Sequence, residues 1–473
     1  MPRRAPEILL ALPPRARSET LAEWVYGGLR DAILDGRLRR GGRVPATRDL
    51  AARYELSRGV VVAAYDRLHD EGYLVSRRGS GTVVNERVFE DYQVVPRHGA
   101  EEPARPPPPK RLRARPFCPI EPAVSEFPMA VWARLSARSA RNLPARELSR
   151  GDPAGSRALR ESIAAYLGTA RGVTCRAEQI VIVSGAQQAL DLVARTVIRP
   201  GDGVWMEDPG YRAGVDAFRN AGARIVPVRV DDRGLDPADG RRRCPQPRAV
   251  YLTPAHQFYL GVALSLERRL ELIAWARQHH IALVEDDYDS EFRYRGRPLP
   301  ALAGLAGADT VFLIGTFNKV LFPSLRCGYM VVPDRWHDRI LALRYQTDLY
   351  PPSLLQATLR AFLDEGHFAR HLRRMRELYA ARRGAIEAAI ARHLDGLLRV
   401  PEIHAGLSTP AYLLDGRTSQ QAEALALEHG LDVWALDRYA LRRRDLRGLV
   451  LGFAAFTEHQ LQNAVITLAR ALG

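Results

Sequence analysis

The chain holds 69 lysines and arginines, and only Lys110 and Lys319 are lysines. Lys319 lies in GTFNKVLFPSLRCG, a few residues after the apolar run VFLI. Arginine serves nearly every other basic position. An amine kept at this place therefore points to a reaction that a guanidinium cannot perform, the attack of a neutral amine on an aldehyde to give an imine. Lys110 sits in a proline run and shows that lysine also occurs here without such a setting.

An aldehyde carried on a phosphorylated aromatic ring needs four further groups, and each has a candidate. A carboxylate beside a ring nitrogen keeps that nitrogen protonated. IALVEDDYDSEF supplies acids at the end of an apolar run; Asp286 is the choice, with Asp287 and Glu285 open because strand alternation alone does not say which points inward. A phosphate needs a cradle. Ser184, Gly185 and Ala186 in SGAQQAL stand where a strand turns into a helix, whose first N–H groups bind anions; Thr316 and Arg326 flank Lys319 and add a hydroxyl and a fork of donors. A ring needs a surface to stack on, and Tyr211 in EDPGY is the candidate. A phenolic oxygen needs a donor. Tyr288 offers a hydroxyl, and His256 and Gln257 in LTPAHQF lie at another strand end lining the same crevice. Together these are the parts of a pyridoxal phosphate site.

The elements that must position these residues are legible from residue 129 onward. QIVIVSG, VWMEDPG, RIVPVRV, AVYLTP, IALVEDD, VFLIGTF and CGYMVV read as strands, and amphipathic stretches such as AQQALDLVARTVI and SLERRLELIAWARQHH read as helices between them. That alternation predicts a mostly parallel sheet with helices on both faces, whose ligands sit beyond the carboxyl ends of the strands. Every candidate named above falls at such an end.

Residues 20–86 form a different segment. LAEWVYGGLRDAILDG is a helix that stops at Gly36. Thr47 is placed to cap a short helix that includes Arg48, Leu50 and Ala51. After a turn at Glu55 and Leu56, Ser57 is placed to cap a second helix that begins at Arg58 and carries Val60, Val61, Ala64 and Leu68 inward. Two short helices with a tight turn form a helix-turn-helix, and the N-terminus of the second enters the major groove with Arg58 foremost. YLVSRRGSGTVV predicts a hairpin wing with Arg77 and Arg78 at its tip. Residues 87–128, with EEPARPPPPKRLRARP, read as an extended proline/arginine-rich spacer.

Composition agrees. A formal net charge of +15 favours an acidic partner, double-stranded DNA first. Four cysteines lie far apart with no zinc-ligand spacing, so no metal site is expected and a reducing, cytoplasmic setting is. MPRRAPEILLALPP is too short and proline-broken for a secretion signal, and no apolar run approaches the roughly 20 residues that span a bilayer.

The motifs LRDAILDGRL, GGRVPATRDLAARYELSR and YDRLHDEGYLVSRRGSGTVV resemble the winged helix of GntR-family regulators. GDPAGSRALRESIAAYL, SGAQQALDLVAR, EDPGY, TPAHQF, EDDYDSEFRY and GTFNKVLFPSLRCGYMVVP resemble fold-type I aminotransferases, and most closely the aminotransferase-like domain of MocR/GabR-type regulators. The resemblance implies a small α+β winged helix-turn-helix, then an α/β pyridoxal phosphate-dependent aminotransferase fold over 129–473 with a smaller C-terminal α+β subdomain. It makes Lys319 the covalent attachment point, Asp286 the ring-nitrogen partner, Tyr211 the stacking residue and Tyr288 the phenolic-oxygen ligand. Thr316 and Arg326 become phosphate ligands, and Arg438 the grip on an effector's carboxylate. It implies a homodimeric transcription regulator that senses a small amine, an amino acid or pyridoxal phosphate itself. The alternative is an active aminotransferase with an accessory DNA-binding domain. The chain departs from the family pattern at Asn318, where serine is usual, and at Tyr259, where proline is common.

Overall fold

The computed structural model describes residues 12–15, 19–77, 81–86, 114–296, 300–307 and 310–473. The chain divides into two compact units, residues 1–109 and 110–473.

In the first unit, α1 (Leu21–Leu34) begins at a capping box in which Thr20 and Glu23 satisfy each other's backbone N–H groups. Helices α2 (Thr47–Arg53) and α3 (Arg58–Asp70) follow, then β1 (Leu74–Arg77) paired antiparallel with β2 (Gly81–Val84). Val25, Leu29, Leu50, Val61, Leu68 and Val84 close one apolar core. The turn between α2 and α3 uses Glu55 in the left-handed region, φ 55°, and Leu56 N–H donates to the Ala51 carbonyl. Thr47 does not cap α2. Ala46 holds the extended cap conformation, and its carbonyl accepts from Leu50 N–H, which makes Thr47 the first helical residue. Ser57 is the cap residue of α3, but its hydroxyl makes no capping bond. Ser57 and Arg58 are exposed, as are Arg48 and Arg77. Arg77 pairs with Glu86 at 3.1 Å, an exposed pair that holds it only weakly. Arg78 and residues 87–113 of the spacer lie outside the described residues.

The second unit is built on an eight-stranded sheet. Its strands are β3 (Ile180–Val183), β4 (Gly203–Asp208), β5 (Arg224–Asp231), β6 (Gly234–Leu235), β7 (Ala249–Leu252), β8 (Ala282–Asp287), β9 (Val311–Thr316) and β10 (Gly328–Val331). Their order is β3-β10-β9-β8-β7-β4-β5-β6. The run from β9 to β5 is parallel, and β10 and β6 pair antiparallel. All seven strands expected from sequence are present.

Alternation divides the core between the two faces. Ile180, Ile182, Val250, Leu252, Leu283 and Leu313 pack on one side. Val181, Val183, Tyr251, Val284, Phe312 and Ile314 pack on the other. A second sheet, β11 (Leu398–Arg399), β12 (Ser408–Leu413), β13 (Trp434–Ala435) and β14 (Gly448–Gly452), forms the antiparallel C-terminal subdomain in the order β11-β12-β14-β13.

Residues 114–128 are not spacer. Fully buried Phe117 bridges to Gly452 at the end of β14, Asp432 N–H donates to the Pro116 carbonyl, and Ala123 N–H donates to the Tyr379 hydroxyl. The aromatic and aliphatic side chains at the end of this proline-rich stretch have a core to enter, and burial holds them there. Among the described residues no helix is long and apolar enough to cross a membrane, and no cluster suited to a metal ion occurs.

Candidate cofactor site

A cavity of about 220 Å³ opens at the carboxyl ends of β4, β7, β8 and β9. Lys319, Asp286, Tyr288, Tyr211, Thr316, Arg326 and Ala186 line it, as the sequence reading expects. Ile120, Gln187, Tyr251, Thr253, Phe258 and Asn318 also line it and were not anticipated as ligands.

The period of β8 separates its acids. Asp286 shares the face of Val284 and reaches the cavity. Glu285 points the other way and accepts from the N–H groups of Leu302 and Ala303. Asp287 pairs with buried Arg171 at 2.6 Å.

Asp286 Oδ2 accepts from the Tyr251 hydroxyl at 2.9 Å, whereas Oδ1 is buried with no hydrogen-bond partner. Burial pushes this carboxyl up to about 7, against the pull of the Tyr251 bond and with help from nearby Asp287 and Glu207. Buried Glu207, bonded to Thr253 and Gln257, is likewise pushed up to about 7 by desolvation.

A stability prediction follows from these two acids. The unfolded chain releases both protons near pH 4, whereas the folded chain keeps them to about 7. The folded state therefore binds more protons across that window, and stability falls as pH rises through it. Thermal melts of the ligand-free protein should show the melting temperature dropping from pH 5 to pH 7.5. Asp286→Asn and Glu207→Gln should each flatten that slope.

Lys319 follows β9, and its Nζ donates to the Ile120 carbonyl at 3.1 Å. Gly185 precedes the helix Ala186–Val197 with φ 142°, and a Cβ there would sit 2.9 Å from Asn318 Nδ2 and 3.6 Å from an Arg326 nitrogen. Only glycine lets the backbone come this close to the basic wall. Asn318 ties the loop together, with Oδ1 accepting from Cys327 N–H and its own N–H donating to Thr316 Oγ1. Tyr211 packs edge-on to Phe258, and burial pushes its hydroxyl up to about 12.

Five expected residues, Ser184, Gly185, His256, Gln257 and Arg438, do not line the cavity. Ser184 N–H is taken by Gln188, one turn into the helix. Gln257 donates to Glu207 and to the Pro209 carbonyl, bracing the loop that carries Tyr211. His256 lies behind Tyr288, against Asp289. Arg438 pairs with buried Glu423, while its neighbour Tyr439 stacks on Tyr259 with centroids 3.9 Å apart. The ion pair and the stack account for its position away from the cavity. Nothing local in VWALDRYAL signals either partner, because both come from distant segments.

Residues 21–84 match the family of bacterial regulatory proteins, gntR family, and residues 128–465 match aminotransferase class I and II. The probable rhizopine catabolism regulatory protein MocR of Rhizobium meliloti is 38% identical, over 94% of this chain and 92% of its own length. The chain belongs to the MocR-type family of transcriptional regulators. Another relative of this MocR-type chain, the pyridoxine biosynthesis transcriptional regulator PdxR of Corynebacterium glutamicum, is 32% identical over 94% of each protein. Among solved structures, the α-aminoadipate aminotransferase LysN of Thermus thermophilus, complexed with N-(5'-phosphopyridoxyl)-L-leucine, has a TM-score of 0.70 at 28% identity. It covers 76% of the MocR-type chain and 92% of its own. The kynurenine aminotransferase of Pyrococcus horikoshii gives 0.70 at 25%, covering 76% and 90%. A gntR-type DNA-binding domain therefore precedes an aminotransferase-fold domain in this MocR-type chain.

Proposed function

We propose that this regulator holds pyridoxal phosphate covalently on Lys319, reads a small amine, an amino acid or the cofactor's own level there, and changes its hold on operator DNA accordingly. The observation that carries the reading is a single cavity that contains the Lys319 amine and a buried carboxylate oxygen, Asp286 Oδ1, with no donor. A protonated ring nitrogen is the donor that such an oxygen lacks. The chain's residues fit the rest of the cofactor: the helix start at Ala186, with Thr316 and Arg326, for the phosphate, Tyr211 against the ring and Tyr288 for the phenolic oxygen. When bound, the cofactor supplies an aldehyde that takes up amines and an electron-withdrawing ring. Ile120 orients the Lys319 amine, Tyr251 holds Asp286, and Tyr211 with Phe258 keeps water from the ring face.

The domain boundaries we favour are 20–86 for the DNA-binding domain and a large domain that takes in residues 114–128 as well as 129–473. The segment carrying Ile120 continues from the spacer, which makes it the covalent route by which occupancy is communicated. Any such effect requires the effector to bind two arrangements of the protein with different affinity. The resemblance to MocR/GabR-type regulators implies a homodimer, and we take it as part of the proposal.

On DNA, Thr47, Arg48, Ser57, Arg58 and Arg77 are the proposed contacts. Arg58 at the start of α3 is the base reader, and Arg77 a phosphate contact. Fluorescence anisotropy on the DNA upstream of the gene tests this. Arg58→Ala should weaken operator binding by about 1–3 kcal/mol, or roughly 5- to 150-fold, and unrelated DNA far less. An equal loss on every sequence would remove base readout. Affinity indifferent to pyridoxal phosphate and to amines would remove the sensor, and sustained keto-acid conversion would mark an enzyme instead.

A further inference from the structure

Tyr288, His256 and Asp289 form a buried group behind the cavity wall. His256 Nδ1 lies 3.0 and 3.2 Å from the two Asp289 oxygens and 3.1 Å from the Tyr288 hydroxyl. Asp289 is 1% exposed and His256 6%. The imidazole lies against two glycines in the left-handed region. A Cβ at Gly261, φ 72°, would stand 3.3 Å from Nε2, and one at Gly406, φ 87°, would collide with the ring and stand 2.9 Å from Asp289 Oδ2. A side chain at Gly406 would displace the ring from this place.

A carboxylate only accepts hydrogen bonds, so Nδ1 must carry the proton that joins it to Asp289. A protonated Nδ1 cannot also accept from Tyr288. The tyrosine oxygen therefore accepts the second branch of that N–H, and its own proton is left to point elsewhere. Tyr288 lines the cavity, which supplies the direction. Resting on the cofactor reading above, we infer that Asp289, acting through His256, is a positioning residue. It fixes the imidazole tautomer so that the Tyr288 hydroxyl donates into the cavity, toward the cofactor's phenolic oxygen. Burial first, then the nearby Asp289, Asp286 and Glu207 carboxyls and the Tyr259 phenol, holds the hydroxyl protonated well above the usual phenol range.

The arrangement predicts a spectroscopic result. A donor at the phenolic oxygen favours the anion there, and losing it raises the pH at which the bound cofactor's visible band titrates. Tyr288→Phe should raise that midpoint by about one to two pH units. Asp289→Asn frees Nδ1 to take the other tautomer and capture the tyrosine proton. It should move the midpoint in the same direction by a smaller amount, and Tyr288→Phe/Asp289→Asn should titrate like Tyr288→Phe alone. If circular dichroism shows that Asp289→Asn does not fold, His256→Gln replaces it and is read in the same way. A merely structural Asp289 would leave the midpoint at the wild-type value or add its shift to that of Tyr288→Phe; either outcome overturns the inference. A wild-type protein that binds no pyridoxal phosphate, or a Tyr288→Phe midpoint that stays put, overturns the cofactor reading as well.

Discussion

Lys319→Ala loses the pyridoxyl mass that the wild-type chain carries on the peptide containing Lys319 after loading with pyridoxal phosphate, removal of the excess and borohydride reduction. The effect is all or none because the bond needs a neutral amine, and Lys319 is the only amine side chain among the residues that line the cavity. Lys319→Arg behaves the same way, since a guanidinium stays charged at any workable pH. The fold survives both changes. Nζ gives up a hydrogen bond to the Ile120 carbonyl, a loss of about 1 kcal/mol, so the melting temperature of the ligand-free protein moves little. Mass spectrometry decides the matter; label retained by Lys319→Ala would mean that another nucleophile holds the cofactor.

The second large effect belongs to Asp286. Asp286→Asn keeps the size of the side chain and an oxygen for the Tyr251 hydroxyl, but it removes the charge that faces the cavity. Removing one partner of a buried charged pair costs about 3–5 kcal/mol. Equilibrium titration of pyridoxal phosphate, followed by quenching of tryptophan fluorescence, should therefore show affinity falling by two to three orders of magnitude at about 1.4 kcal/mol per tenfold. Glu285→Gln, one residue away on the opposite face of β8, should change that affinity far less and lower stability instead, because its oxygens hold the Leu302 and Ala303 N–H groups. An Asp286→Asn affinity within threefold of wild type would mean that the ring nitrogen has another partner.

The contrast between those neighbouring acids shows where local pattern stops. EDD at the end of an apolar run places three carboxyls at a strand end, but which of them meets the ligand depends on which face of the sheet holds it. That was decided by the strands on either side, β7 with Tyr251 and β9 with Ile314. The sequence by itself determined the seven strands, the helix-turn-helix with its wing, and the one lysine whose setting suits an amine nucleophile. These rest on short-range causes: period-two alternation, helical spacing, turn residues and residue chemistry. Its misreadings were of two kinds. Thr47 stood one position too far along to cap α2, because Ala46 took the extended conformation that a cap requires. The stretch at 114–128 was read as spacer because its prolines hide the anchoring of Phe117 beside Gly452. Only the tertiary structure decided that Tyr251 braces Asp286, that Glu423 claims Arg438, and that His256 stands behind Tyr288 with Asp289. Tyr251 lies 35 positions from Asp286 and His256 32 from Tyr288, and the order in which strands assemble brings them together, while Glu423 and Arg438, 15 apart, meet through the packing of the C-terminal subdomain.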